Sequence, residues 1–173
     1  MNALIDPRPV DGDIHDALHR AKLLIERQDF EPAAALYAQL LDSDLAIPLR
    51  AEIQTNLAAA LCMLARATSA AEPALALLER AHALLIEALR HRDPSIEPDG
   101  WVSTRANLAV VHLARYQATG ERSDILSAHL ALDGAEAALT GTTDPTLLDW
   151  VTAIRDHLVD LRDRRGKTDR RRR

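Results

Sequence analysis

The sequence contains few aromatic residues, a single cysteine and no long apolar run. Aromatic residues make up 3% of the chain and apolar residues 47%, so the core must be built mainly from alanine and leucine. Cys62 alone cannot form an intramolecular disulfide, and a cysteine-based zinc site is excluded. No window approaches 18 consecutive apolar residues, so we expect no membrane-spanning segment. Residues 1–10 hold two prolines and two charges. They do not resemble a signal peptide, which favours a cytoplasmic location.

Runs of β-branched residues and period-2 alternation are also missing, and this favours an all-α fold. Alanine and leucine are strong helix formers, and alanine lets helix axes approach closely. A chain of 173 residues is long enough for one domain with a core. We expect a flexible segment over residues 1–12, a helical domain over residues 13–165 and a disordered basic tail over residues 166–173.

Apolar periodicity and capping residues predict seven helices. Their expected bounds are Asp13–Arg27, Phe30–Leu41, Pro48–Ala67, a helix from just after Ser69 to His91, Trp101–Ala118, Ser123–Leu139 and Pro145–Arg165. Three boundaries have specific signals: a capping box from Ser69 to Glu72, a glycine C-cap at Gly120 and an N-cap at Asp144. Between the fourth and fifth helices, Pro98-Asp99-Gly100 is interpreted as part of a rigid turn.

Internal repetition is the most informative pattern. Asn56-Leu57-Ala58 recurs as Asn107-Leu108-Ala109, 51 residues later, and a weaker third copy begins near Trp150. Self-similarity at such a spacing indicates stacked units that cannot bury their apolar faces alone. Each unit is expected to be an antiparallel helical hairpin.

The segment from Gln28 to Leu41 resembles the second helix of a tetratricopeptide repeat, with Ala33, Tyr37 and Leu40 at the hairpin contact. Small residues at the closest approach of each first helix complete the pattern: Ala21, Ala58 and Ala109. The period is stretched from 34 residues to about 50, as in a divergent bacterial branch of the family. The resemblance implies a short right-handed superhelix of about seven helices with a terminal capping helix.

Tetratricopeptide proteins are mostly non-catalytic scaffolds, so the resemblance implies an adaptor, assembly factor or accessory subunit that binds a protein or peptide. The implied site is a concave groove lined by first helices. Its candidate partner-binding residues are His19, Lys22, Asn56, Ala59, Met63, Ser103, Asn107 and Val110. The family's carboxylate clamp is rejected, because only Asn56 matches its five positions.

Several residues of the chain allow two interpretations. Asn56 and Asn107 could bind the backbone of an extended peptide or could serve as structural amides. Trp101 and Trp150 could pack between hairpins or anchor a partner. His15 and His19 share a helix face, which could suit a metal, but a solvated pair is expected. Cys62 is expected to be an inert small apolar residue.

Motifs for phosphate, dinucleotide or metal-assisted chemistry are missing from the sequence. We therefore expect no enzyme activity, no catalytic residue, no metal site and no cofactor.

Two further possibilities concern the C-terminal region. Residues 162–173 carry a net charge of +6, which leaves −11 for residues 1–161. An alternative function is therefore a nucleic-acid-associated regulator that uses this Arg-rich tail. The last helix has no pairing helix after it, so its apolar stripe could cap the stack or form a homodimer.

Overall fold

The computed structural model describes the backbone of residues 11–142 and 144–170, and the side chains of residues 14–142 and 144–161. Of the segment expected to be flexible (residues 1–12) and the tail expected to be disordered (residues 166–173), residues 1–10 and 171–173 lie outside the described residues, whereas residues 11–12 and 166–170 are helical.

Seven α-helices make up nearly all of the described chain, and it contains no β-strand. The prediction of an all-α helical stack is confirmed. The helices are α1 (Asp11–Glu26), α2 (Phe30–Leu41), α3 (Ile47–Ala67), α4 (Ala71–Arg90), α5 (Pro98–Thr119), α6 (Arg122–Ala138) and α7 (Pro145–Arg170), with a 3-10 turn at Leu139–Gly141.

Several of the predicted boundaries are wrong, among them the start of α1, which lies at Asp11 and not Asp13. Helix α5 begins at Pro98, so Pro98-Asp99-Gly100 forms its first turn and not part of the preceding loop. Proline suits the first helical position, and an acidic residue is favourable in the first turn. At the other end of the chain, α7 continues to Arg170, five residues beyond the predicted end of the helical domain.

Two of the three predicted capping signals are confirmed. Gly120 adopts a left-handed conformation with φ 74°, and its N–H donates to the Tyr116 carbonyl at 2.8 Å, as predicted for a C-cap. Asp144 accepts a 2.9 Å hydrogen bond from the Thr146 N–H and caps α7. The capping box at Ser69 is wrong, because α4 begins one residue later with Ala70 at its N-cap and no side-chain bond.

The helices pack as consecutive pairs, α1 with α2, α3 with α4 and α5 with α6, and α7 closes the stack. Each even-numbered helix also packs against the first helix of the next pair. The odd-numbered helices contact one another directly, α3 with α5 and α5 with α7. We call α1, α3, α5 and α7 the inner layer, because every extensive helix–helix contact in the described chain involves one of them.

The core is built from small side chains at the closest approaches. Ala21, Ala58 and Ala109 are fully buried, as their repeat positions predict. In the second helix, Tyr37 is also buried, 1% exposed. Because the side chain of alanine is a single methyl group, the helix backbones can approach closely without leaving a gap.

Helix α7 caps the stack. Four members of its apolar stripe, Leu147, Val151, Ile154 and Leu158, are buried within the chain. Arg155 adds a polar contact between α7 and α6, described below. Leu148, on the same helix, is 39% exposed, and the homodimer through the last helix stays a prediction. No helix in the described part of the chain is long and apolar enough to cross a membrane.

Candidate functional site

Four cavities in the described chain touch the inner layer, and six of the eight predicted partner-binding residues line three of them. The fourth, of about 460 Å³ among the C-terminal ends of α3 and α5 and the start of α4, contains none of the eight. The first cavity lies between α1 and α3 and has a volume of about 320 Å³. Lys22, Asn56, Ala59 and Met63 all belong to its lining. Met63 is 38% exposed, so this cavity presents apolar surface to solvent.

A salt bridge joins Lys22, which lines the first cavity, to Glu52, which lines the central cavity described next. The Lys22 Nζ lies 3.2 Å from the Glu52 Oε1, and both side chains are about half exposed. Surface pairs of this kind contribute about 0–1 kcal/mol, so a ligand can displace this one at little cost. The pair joins α1 to α3 without locking the cavity.

The central cavity is the largest of the three, with a volume of about 700 Å³. It lies where α3, α5 and α7 begin, and Asn56 links it to the first cavity because that side chain lines both. Ser103, another predicted residue, lies in its wall. Helix N-termini carry partial positive charge, and three of them meet here.

Four carboxylates and one guanidinium also line the central cavity: Glu52, Glu97, Asp99, Asp144 and Arg92. Arg92 Nη1 donates to Glu97 Oε2 at 3.1 Å. Asp99 accepts a hydrogen bond from the Thr142 hydroxyl. The carboxylates complement the helix N-termini, and the cavity retains an excess of acidic side chains.

The third cavity, of about 310 Å³, lies between the C-terminal half of α5 and α7. Val110 lines it, together with Trp150 and Ile154. Trp150 is half-buried and packs against the core. It therefore contributes both to the contact between α5 and α7 and to the wall of the third cavity.

Two predicted residues lie outside these cavities. Among the described residues, His19 and Asn107 line none of the three. His19 is exposed on α1. The Asn107 Nδ2 donates to the Ser103 carbonyl at 3.0 Å, within its own helix. This bond supports a structural role for Asn107, whereas Asn56 lines two cavities.

The surroundings of Cys62 do not favour nucleophilic chemistry. Cys62 is buried, and burial raises the pKa of its thiol to about 11, against a smaller opposing effect of Arg66. The thiolate that nucleophilic chemistry requires is therefore scarce at neutral pH. In the described part of the chain, no group of three potential ligands is arranged to hold a metal ion. The Arg105 guanidinium lies over the Trp101 ring at 5.9 Å.

One buried polar cluster lies away from the inner-layer cavities. The Asp124 Oδ1 is 3.3 Å from His112 Nδ1 and 3.1 Å from Arg115 Nε, and it joins the start of α6 to α5. The His82 ring of α4 packs edge-on against His112, with centroids 5.2 Å apart. Burial lowers the pKa of both histidines, and this effect outweighs the opposing influence of Asp124. The cluster ties three helices together with neutral imidazoles.

Sequence reasoning missed the polar lining of the central cavity. Arg92, Glu97 and Asp99 come from a segment that was interpreted as a turn, and Asp144 was recognised only as a cap. A signal was present, because Pro98 followed by Asp99 is also a helix start.

Comparisons with models of protein families, with curated proteins and with solved structures each found no match.

Proposed function

We propose that this protein is a non-catalytic interaction module that binds an extended segment of a partner protein along the inner layer. The observation that carries the proposal is the row of three cavities on the odd-numbered helices. Asn56 belongs to two of them, so the first and central cavities share a wall. An extended peptide is a fitting ligand, because it can occupy successive cavities of a few hundred Å³ with successive side chains.

The resemblance to tetratricopeptide repeats belongs to this proposal. It supports the choice of the inner layer, since first helices line the binding groove in that family. The inner layer also combines apolar surface, at Met63 and Val110, with polar groups that fix orientation, at Asn56 and Ser103. Such a mixture suits protein recognition. The cytoplasmic location and the role as an adaptor or assembly factor are parts of the same proposal.

Affinity capture with matched variants tests the proposal. Wild-type protein and the double variant N56A/M63A are used as baits in extracts of the native cell, and bound proteins are identified by mass spectrometry. The control bait carries L126A, which removes an apolar side chain that is 62% exposed on α6, outside the inner layer. We expect a partner that the wild type and L126A retain and that N56A/M63A loses.

The captured partner is then purified, and its affinity for the three baits is measured by calorimetry. Loss of binding by N56A/M63A alone supports the inner layer as the binding surface. Equal affinity for all three baits, with all three folded by circular dichroism, would overturn the proposal.

A further inference from the structure

Arg66 and Gln117 form a wall that two neighbouring cavities share. Arg66 lies in the last turn of α3, and Gln117 lies near the end of α5. Both side chains, together with Ala114, line the third cavity and also the fourth. The two cavities therefore make one surface at the C-terminal ends of the inner-layer helices. We call this surface, joined at these three residues, the distal groove.

The polar donors of the shared wall are available to a ligand. Both Arg66 and Gln117 are exposed. The Arg66 Nη1 lies 3.8 Å from the Met63 Sδ, which is a weak acceptor, and within the described residues no carboxylate pairs with this guanidinium. Arg115 and Arg155, by contrast, each pair with a carboxylate. In the same part of the chain, the Gln117 amide makes no hydrogen bond.

The distal groove differs in charge from the rest of the inner layer. Among the residues that the structure describes, none that lines this groove is acidic. The first and central cavities both contain carboxylates, those of Glu26 and Glu52 among them. Residues 1–161 as a whole carry a net charge of −11. Arg66 and the start of α4 oppose the partial negative charge at the ends of α3 and α5. An anionic group of a partner is therefore best accommodated beside Arg66.

Apolar side chains flank the shared wall on both sides. They are Val110, Leu113, Trp150 and Ile154 in the third cavity, and Ala65, Ala74 and Leu78 in the fourth. Alternate side chains of an extended segment point to the same side. A segment that crosses both cavities therefore presents every second side chain to the groove, an apolar one to each cavity and an anionic one to the wall between them.

We propose that the distal groove binds an extended segment of the partner protein with the pattern apolar–x–acidic–x–apolar. The carboxylate of the middle residue accepts from the Arg66 guanidinium and the Gln117 amide, and the two apolar side chains enter the third and fourth cavities. This inference rests on the proposed function and specifies the chemistry of the partner segment at one end of the inner layer.

Peptide titrations of the ¹⁵N-labelled full chain, followed by NMR, test the inference. The probe is Gly-Leu-Ser-Glu-Ser-Leu-Gly, blocked at both ends so that its only charge is the glutamate side chain. Matched peptides carry glutamine or lysine in place of glutamate. We expect the glutamate peptide to shift the backbone amides of Gln117, of Ala153 in the third cavity and of Ala71 in the fourth. The glutamine peptide should bind about fivefold more weakly, the upper end of what an exposed ion pair contributes, and the lysine peptide more weakly still.

Exchange of the charges sharpens the test. R66E should reverse the order and bind the lysine peptide more tightly than the glutamate peptide. R80E is the matched control, since Arg80 is exposed on α4 and lines neither cavity, and it should keep the wild-type order. A reversal in R66E alone identifies a direct contact between the exchanged charges. If R66E does not fold, R66Q replaces it and should bind the glutamate and glutamine peptides equally.

The contacts with the apolar side chains have their own control, a peptide in which serine replaces both leucines. Equal binding of this peptide and the original would overturn the inference, as would a wild-type order that persists in R66E. A second copy of the chain is the competing occupant. If the amides of the distal groove shift with protein concentration before any peptide is added, the second copy binds there and the inference is wrong.

The remaining outcomes separate this inference from the proposed function. If the glutamate peptide shifts the amides of Asn56 and Met63 and not those of the distal groove, the inference is wrong and the inner layer remains the binding surface. If no peptide shifts any inner-layer amide, the inference also fails, and the capture experiment alone then decides the proposed function.

Discussion

At the scale of single residues, the two repeated asparagines show how equivalent positions acquire different surroundings. Asn56 lies in the shared wall of the first and central cavities. Asn107 donates to the Ser103 carbonyl of its own helix. The repeat predicts that both lie on first helices, which is correct, and both are half-buried. It could not distinguish them, because the neighbouring cavity at Asn56 depends on the separation of α1 from α3.

Replacing both asparagines with alanine is expected to leave the fold largely intact and to weaken partner binding. Alanine has the higher helix propensity, and neither amide makes a hydrogen bond to another helix in the described chain. Most of the lost affinity should come from N56A, since only that side chain lines a cavity. Calorimetry with the captured partner measures the affinities, and thermal denaturation checks the fold. Wild-type affinity in the double variant would remove Asn56 from the site.

The histidine cluster predicts a pH dependence of stability. His82 and His112 have lowered pKa values in the folded chain because burial disfavours their charged forms. The unfolded chain therefore binds more protons once the pH falls below about 6.5. The stabilising contribution of the neutral histidines is complete above that pH and is lost progressively as the pH falls further.

Thermal denaturation at pH 7.5, 6.5 and 5.5 measures this effect. We expect the melting temperature to fall on acidification, and to fall less in H82F, which keeps an aromatic ring against His112 but cannot bind a proton. H19Q, which removes an exposed histidine of α1, is the control and should follow the wild type. An H82F curve that is parallel to the wild-type curve would show that His82 does not contribute to the acid sensitivity.

At the scale of helices, the spacing of the alanine residues is the sequence feature that best predicts how the helices pack. Ala58 is fully buried in α3, as the repeat requires. The same reasoning could not locate the helix ends with equal accuracy. Ser69 has the residue type of a cap but lies one position too early, since Ala70 is the N-cap of α4.

A58L is expected to destabilise the protein by about 1–3 kcal/mol, because a larger side chain at a close helix approach forces the backbones apart. A83L is the control, since Ala83 is exposed in the middle of α4. Urea denaturation followed by circular dichroism gives the free energy of unfolding of both variants. If A58L were as stable as A83L, the alanine positions would not determine the helix spacing.

At the scale of the whole molecule, the order of the helices and their pairing follow from the sequence, but the polar interior of the central cavity does not. Gly120 and Asp144 are local signals, and both were identified correctly. The cavity depends on Glu52, which lies far from Arg92 and Asp99 in the chain and shares a cavity with them because α3 and α5 start side by side. No spacing in a single sequence encodes that meeting.

The stack also depends on how firmly its last helix is attached. Arg155 of α7 makes a double contact with Glu136 of α6, Nε to Oε1 at 2.8 Å and Nη2 to Oε2 at 2.7 Å, and Nη2 also lies 2.6 Å from Asp133. These partners, with Glu136 first, raise the pKa of Arg155. Arg155 is 25% exposed, so solvent screens this network only in part.

R155M is expected to lower the free energy of unfolding by about 1–2 kcal/mol, since it leaves two carboxylates without their cation but keeps the aliphatic contact. The loss should be local, because the network joins only α6 and α7. Hydrogen exchange followed by mass spectrometry should show faster exchange in α7, with α1–α4 unchanged. R90M, which breaks an exposed pair on α4, controls for the loss of a surface charge. Equal acceleration in every helix would mean that the chain unfolds as one cooperative unit, and that α7 is an integral part of the stack and not a separately attached cap.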